Sequence, residues 1–102
     1  MNYYALFYHV VDDYVARRAA FRDAHLKLGR AAQQRGELIL AGAFTDPIDG
    51  ALLVFRAPDG TVVSDFASND PYVINGLVTR WEVRTWAVVV GTEFAASGGI
   101  TP

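Results

Sequence analysis

The first segment of the chain, from Tyr3 to Val11, is rich in aromatic and β-branched residues, which favour β-strands. Successive side chains of a strand point to opposite faces of a sheet, and here both alternating sets are largely apolar. One set contains Tyr3, Ala5, Phe7 and Val11, and the other contains Tyr4, Leu6, Tyr8 and Val10. A strand of this kind is covered on both sides. The chain therefore has to build a sheet whose two faces are both covered.

The residues after this strand predict a long helix and then a hairpin. Good helix formers run from Tyr14 to about Gln34 before a stop at Gly36, and the pattern is compatible with a break near Ala19 or Ala20. Apolar runs at residues 37–44 and 50–57 are separated by turn-forming residues and predict the hairpin. Two short helical pieces at residues 61–68 and 72–76 and a long strand at residues 78–90 complete the pattern.

The predicted order β-α-β-β-α-β is the ferredoxin-like plan, an α+β fold in which a four-stranded antiparallel sheet carries its helices on one face. Two helices cover only that face, whereas the first three strands are apolar on both. We therefore expect a homodimer that packs sheet against sheet. A bound hydrophobic ligand or a few exposed aromatic side chains are the alternatives. The apolar share of 52%, against roughly 45–50% in average domains, is in line with such an interface.

Composition excludes several classes of protein. The net charge of −2 and a single lysine argue against a nucleic-acid partner, and no apolar run approaches the roughly 18–20 residues that span a membrane. There is no cysteine, so disulfides and thiolate chemistry are absent. The first residues lack the features of a signal peptide, and we expect a cytoplasmic protein. We assign residues 1–91 to one domain and residues 92–102 to a flexible C-terminal tail.

The first candidate site residue is His25, which lies on the rim of the apolar stripe of the long helix. Arg18 and Arg22 precede it by seven and three residues on the same rim, which makes the rim electropositive and suited to an anionic substrate group. A packed histidine with one satisfied nitrogen is the default interpretation of His25 from spacing alone. Similarly, the two arginines beside Asp23 are compatible with a solvated helix face.

The second candidate is Asp70, which precedes Pro71 and can be a simple helix N-cap. Asp70 has a second role if its carboxylate forms a hydrogen bond with His25. A carboxylate that is hydrogen-bonded to one imidazole nitrogen fixes the tautomer and leaves the other nitrogen free to act as a general base. From local sequence, the cap is the favoured interpretation.

Metal and cofactor sites are not expected. The chain has two histidines and no carboxylate cluster at ligand spacing, and His9 is interpreted as a polar residue at a strand end. The glycines follow neither a phosphate-loop nor a dinucleotide pattern.

Three segments together resemble the YciI-like (YCII-related) family. They are RDAHL at residues 22–26, RGELILAG at residues 35–42 and NDPYVINGLV at residues 69–78. The resemblance covers about residues 1–90 and implies a ferredoxin-like fold that dimerises through its sheets into an α/β barrel. It also implies an active site at His25 and Asp70, with Tyr72 and Arg22 as substrate-binding neighbours. A few relatives are thought to eliminate or hydrolyse chloride from hydroxylated aromatic rings.

Three interpretations of function remain. The first is a cofactor-independent enzyme of the lyase or hydrolase type, in which His25 takes a proton, Asp70 orients it, and Arg22 and Tyr72 steady an oxyanion on a small molecule. The second is a dimeric module that binds a small ligand without chemistry. The third, by fold analogy alone, is a cofactor-free monooxygenase or lactone isomerase.

Overall fold

The computed structural model describes residues 1–91, and the tail predicted for residues 92–102 lies outside the described residues. The elements in chain order are β1 (Asn2–Val10), α1 (Tyr14–Arg18), α2 (Arg22–Gln34), β2 (Leu38–Ala43), β3 (Gly50–Ala57), α3 (Thr61–Asn69), α4 (Pro71–Ile74) and β4 (Val78–Trp86). None of the helices in this part of the chain is long and apolar enough to cross a membrane.

The strands form one antiparallel sheet in the order β2-β3-β1-β4. β1 lies inside the sheet, where Leu6 pairs with Leu53 of β3 on one side and with Val83 of β4 on the other. The pairing of β1 with β4 shifts register between His9 and Val10, near the end of β1. The α+β, ferredoxin-like fold predicted from the sequence is confirmed.

The main core lies between the helices and one face of the sheet. Leu6 and Phe55 from the sheet pack in one buried cluster with Val63 and Phe66 of α3 and with Leu77, and the rings of Phe55 and Phe66 lie 5.0 Å apart between centroids. Apolar burial of this kind is the dominant stabilising term of a small domain.

The opposite face of β1 and β3 is also largely covered. Tyr3, Ala5 and Val54 are buried within the single chain, whereas Leu40 and Trp86 are 59% and 45% exposed. The homodimer predicted for this face stays a prediction.

Two differences from the predicted elements exceed shifts of one or two residues at element ends. The first helix divides into α1 and α2, with residues 19–21 between them, as the pattern near Ala19 allowed. The last strand was predicted to reach Val90 but ends at Trp86. Trp86 pairs with Tyr3, and β1 begins at Asn2. The prediction was wrong because the apolar residues after Trp86 have no further length of β1 to pair with.

Candidate active site

Asp70 is the only buried polar or charged residue among residues 1–91, and it lies between α3 and α4. Its backbone is extended, as expected of a residue that precedes proline, and Pro71 occupies the first turn of α4. The Oδ1 atom of Asp70 accepts a hydrogen bond of 3.0 Å from the backbone N–H of Tyr72. Asp70 is therefore the helix cap that its local sequence predicts.

The same carboxylate also contacts His25 of α2. The Nδ1 atom of His25 lies 2.8 Å from Oδ1 and 3.0 Å from Oδ2 of Asp70. Because a carboxylate only accepts hydrogen bonds, Nδ1 is the nitrogen that donates a proton to this contact. Within the described part of the chain, Nε2 has no hydrogen-bond partner. The cap and the pairing with His25, which the sequence left as alternatives, occur together.

Tyr8 of β1 provides a further donor to this carboxylate, which sequence reasoning missed. Its hydroxyl donates a hydrogen bond of 2.7 Å to Oδ2 of Asp70. Burial, reinforced by the charge of Asp70 and by the hydrogen bond to it, raises the pKa of Tyr8 far above its usual value, so the hydroxyl remains a donor. The available signal was a tyrosine on the inward-facing set of a strand, because a buried hydroxyl needs a partner.

Tyr72 of α4 packs flat on His25. Their ring centroids are 3.8 Å apart, and the ring planes differ by 8°. Tyr14 contacts the same tyrosine edge-on, with centroids 5.7 Å apart. The imidazole is thus held by a hydrogen bond at Nδ1 and by an aromatic ring against its face.

The hydroxyl of Tyr72 is buried and lacks a hydrogen-bond partner in residues 1–91. Burial raises the pKa of Tyr72, and Tyr14 adds to this effect, while the nearby charges of Arg22 and Arg18 oppose it. A buried hydroxyl without a partner costs free energy, so a movement that brings Arg22 or a ligand oxygen within hydrogen-bond distance is favourable.

A cavity of about 250 Å³ lies beside these residues. Its lining includes the four candidate residues Arg18, Arg22, His25 and Tyr72, and contains no Asp or Glu. Asp70 does not line the cavity but lies behind His25. Since an apolar cavity of about 150 Å³ holds benzene, this volume suits one substituted ring.

The two arginines that line the cavity lie on either side of the break in the first helix. Arg18 is the last residue of α1 and Arg22 is the first residue of α2. The guanidinium of Arg18 lies 5.4 Å from the ring centroid of Tyr14, a cation–π contact. Neither arginine forms an ion pair with any described residue, Asp23 included. The cavity therefore has an excess of positive charge.

His9 lies away from this site, near the end of β1. Its Nε2 atom is 3.0 Å from Nη2 of Arg80 and 3.6 Å from Oε1 of Glu82, both of which belong to the neighbouring edge strand β4. Across residues 1–91, no three His, Cys, Asp or Glu side chains are grouped to hold a metal ion.

Comparison with known proteins gives one family, and two solved structures illustrate the fold likeness. A family model described as the YCII-related domain matches residues 1–87. One solved structure with a similar fold is TftG of Burkholderia phenoliruptrix AC1100, a 5-chloro-2-hydroxyhydroquinone dehydrochlorinase in complex with 2,5-dihydroxybenzoquinone. The likeness has a TM-score of 0.70 and 18% identity, and it covers 82% of this chain and 92% of TftG. Protein Atu4242 of Agrobacterium tumefaciens is similar with a TM-score of 0.55 and 13% identity, over 84% of this chain and 91% of its own. At these identities the likeness shows the fold. No curated protein matches the chain.

Proposed function

The chain belongs to the YCII-related domain family, and we propose that it is an enzyme that acts on a small anionic ring compound by general acid–base chemistry at His25. The observation that carries this proposal is the hydrogen bond of 2.8 Å between Nδ1 of His25 and the buried carboxylate of Asp70. It leaves Nε2 as the free nitrogen of a residue that lines the cavity.

His25 is the proton acceptor in this proposal. Its Nε2 atom takes a proton from a substrate hydroxyl or from a carbon beside a carbonyl group, and the ring becomes positively charged. Asp70 supports that charge through Nδ1, and Tyr8 and the backbone of Tyr72 hold the carboxylate in place. Such a base contributes about 10² to 10⁴ in rate.

The negative charge that develops on the substrate has partners on the same cavity wall. Arg22 and Arg18 supply positive charge, and Tyr72, which lines the cavity, supplies a hydroxyl donor on the same wall. In an elimination, the bonding pair of the broken C–H or O–H bond becomes part of a new double bond, and the leaving group departs from its carbon with its own bonding pair. This sequence suits a lyase. In a hydrolysis, His25 takes the proton of a water molecule, whose oxygen bonds to the carbon that loses the leaving group, and neither reaction requires a cofactor.

The fold neighbour supports a ring substrate. TftG is a dehydrochlorinase of a chlorinated hydroxyhydroquinone and was solved with 2,5-dihydroxybenzoquinone. Our proposal extends this substrate class, hydroxylated and chlorinated rings, to the cavity beside His25.

The test measures turnover of a panel of chlorinated and unchlorinated hydroxyquinones, with chloride release and product analysis as readouts. We expect His25→Ala to lower the rate by about 10²-fold or more. The matched control is His9→Ala, which removes the other histidine of the sequence and leaves turnover unchanged. Ligands that raise the melting temperature but emerge unchanged from wild-type protein would favour the binding module instead, and equal rates in His25→Ala and wild type would refute the role of His25.

We also propose that the chain forms a homodimer through the sheet face that lacks helices. The exposed side chains of Leu40 and Trp86 support this proposal, because large apolar groups on one face mark association sites. Light scattering at micromolar concentration should give twice the mass of one chain, and Trp86→Glu should shift the mass toward one chain. A wild-type monomer under these conditions would overturn the dimer.

A further inference from the structure

A second cavity, of about 380 Å³, lies on the other side of His25. Its lining includes Leu38, Leu53 and Phe66, together with Ile39. The polar lining residues other than His25 are Arg30 and Gln33, and both are exposed on α2. Eight of the eleven lining residues are thus apolar or glycine, and the two polar residues of α2 lie on its exposed side.

The two cavities have common walls. His25, Leu26, Ala41 and Leu53 line both of them. The first cavity therefore has arginine and tyrosine side chains on its side of these shared residues. The second cavity has mainly leucine, isoleucine and phenylalanine on its side. A molecule seated beside His25 can contact both if it carries an apolar substituent.

We propose that the substrate of this site is amphipathic, with an anionic ring in the first cavity and an apolar arm of several carbons in the second. This inference rests on the proposed function, since it names the substrate class of the same site. The first cavity, of about 250 Å³, suits one substituted ring. The apolar residues that predominate in the lining of the second cavity remove an alkyl chain from water, while Arg30 and Gln33 lie on the exposed side of α2.

The arm makes a measurable contribution to affinity. Burial of one methylene group is worth about 0.8 kcal/mol, which is a factor of about three to four in Kd. Benzoate and its 4-ethyl and 4-butyl derivatives are suitable probes, because each has the same ionised head and none has a leaving group. A butyl arm should tighten binding to wild-type protein by roughly 100-fold relative to benzoate.

Gly29 of α2 allows the second cavity to be filled. A Cβ atom at Gly29 would lie 3.7 Å from Cδ2 of Leu38, an ordinary van der Waals contact, and leucine is a better helix former than glycine. Gly29→Leu therefore places an isobutyl group in the second cavity without backbone strain. Gly29→Ala is the matched control, because it makes the same helix change and leaves most of the cavity open.

The experiment measures Kd by calorimetry for the three benzoates with wild type, Gly29→Ala and Gly29→Leu. We expect the butyl arm to keep most of its advantage in Gly29→Ala and to lose at least tenfold of it in Gly29→Leu, with benzoate itself as the internal reference. Failure of all three probes to bind wild type, equal affinity for benzoate and 4-butylbenzoate, or an undiminished advantage in Gly29→Leu would each overturn the inference. These probes are unreactive, so the outcome is separate from turnover: loss of the arm effect leaves the role of His25 intact, and normal turnover in His25→Ala leaves the arm effect intact.

Discussion

Replacement of Tyr8 by phenylalanine tests whether the hydrogen bond from the Tyr8 hydroxyl stabilises the buried carboxylate of Asp70. Tyr8→Phe keeps the ring in the core and removes only the hydroxyl, which donates a hydrogen bond of 2.7 Å to Oδ2 of Asp70. Asp70 is fully buried, so water does not replace the lost donor. A hydrogen bond to a charged group contributes about 1.5–3 kcal/mol, and we expect the free energy of unfolding at pH 7 to fall by that amount.

The pH dependence gives the same prediction a second, independent readout. The pKa of Tyr8 is raised in the folded protein, while an unfolded tyrosine titrates near about 10. Above that pH the unfolded chain binds fewer protons than the folded one, so stability falls as pH rises, by up to about 1.4 kcal/mol per pH unit. The contribution of Tyr8 is fully present below pH of about 10 and decreases above it, and Tyr8→Phe removes that slope.

Urea unfolding at pH 7.5 and at several values between 9.5 and 11 measures both effects. Tyr4→Phe is the matched control, because Tyr4 lies on the same face of β1 and, among residues 1–91, its hydroxyl has a single hydrogen bond, accepted from the amide of Asn2 at 3.5 Å. We expect the control to change stability by less than about 0.5 kcal/mol. If Tyr8→Phe were as stable as the control at pH 7.5, or if its alkaline slope equalled that of wild type, the assignment of Tyr8 would be refuted.

Three further predictions concern the same site. Asp70→Ala should lower the free energy of unfolding by about 3 kcal/mol or more, because it removes the helix cap and the hydrogen bonds from Tyr8 and His25. Asp70→Asn should lower it by less, because the amide oxygen can still cap Tyr72. Equal losses of the two variants in urea unfolding would contradict this. Tyr72→Phe should leave stability unchanged or slightly raised, since its hydroxyl is unpaired, yet weaken benzoate binding about tenfold; a clear loss of stability would be the opposite result. Arg22→Ala should weaken benzoate binding about tenfold at low salt and by less at high salt, because salt screens the charge of Arg22. An effect of the same size at both salt concentrations would argue against a charge interaction.

Much of the fold is accessible from local patterns. The two apolar sets of β1 predict a strand covered on both faces, and β1 does lie inside the sheet with both sets largely buried. The end of β4 is different. The apolar residues after Trp86 favour a strand, but strand length depends on the partner, and β1 begins at Asn2. Pairing length is a tertiary property that a single segment does not encode.

The site shows the same division. The helical position of His25 and the cap at Asp70 follow from spacing and from Pro71, and the family resemblance associates the two residues. The hydroxyl of Tyr8 reaches Asp70 only because β1 passes beside α4, across 62 positions of sequence. Likewise, the second cavity arises from the packing of α2 against β2, and no motif marks it.

The tautomer of His25 tests the central claim most directly, without a substrate. Long-range ¹H–¹⁵N NMR spectra of the neutral ring distinguish a proton on Nδ1 from one on Nε2, and His9→Gln removes the signals of the other histidine. Because the buried carboxylate of Asp70 lies 2.8 Å from Nδ1, we predict that His25 carries its proton on Nδ1 and presents an unprotonated Nε2 to the cavity. A ring protonated on Nε2, or an even mixture of the two tautomers, would contradict the role of His25 as a base oriented by Asp70.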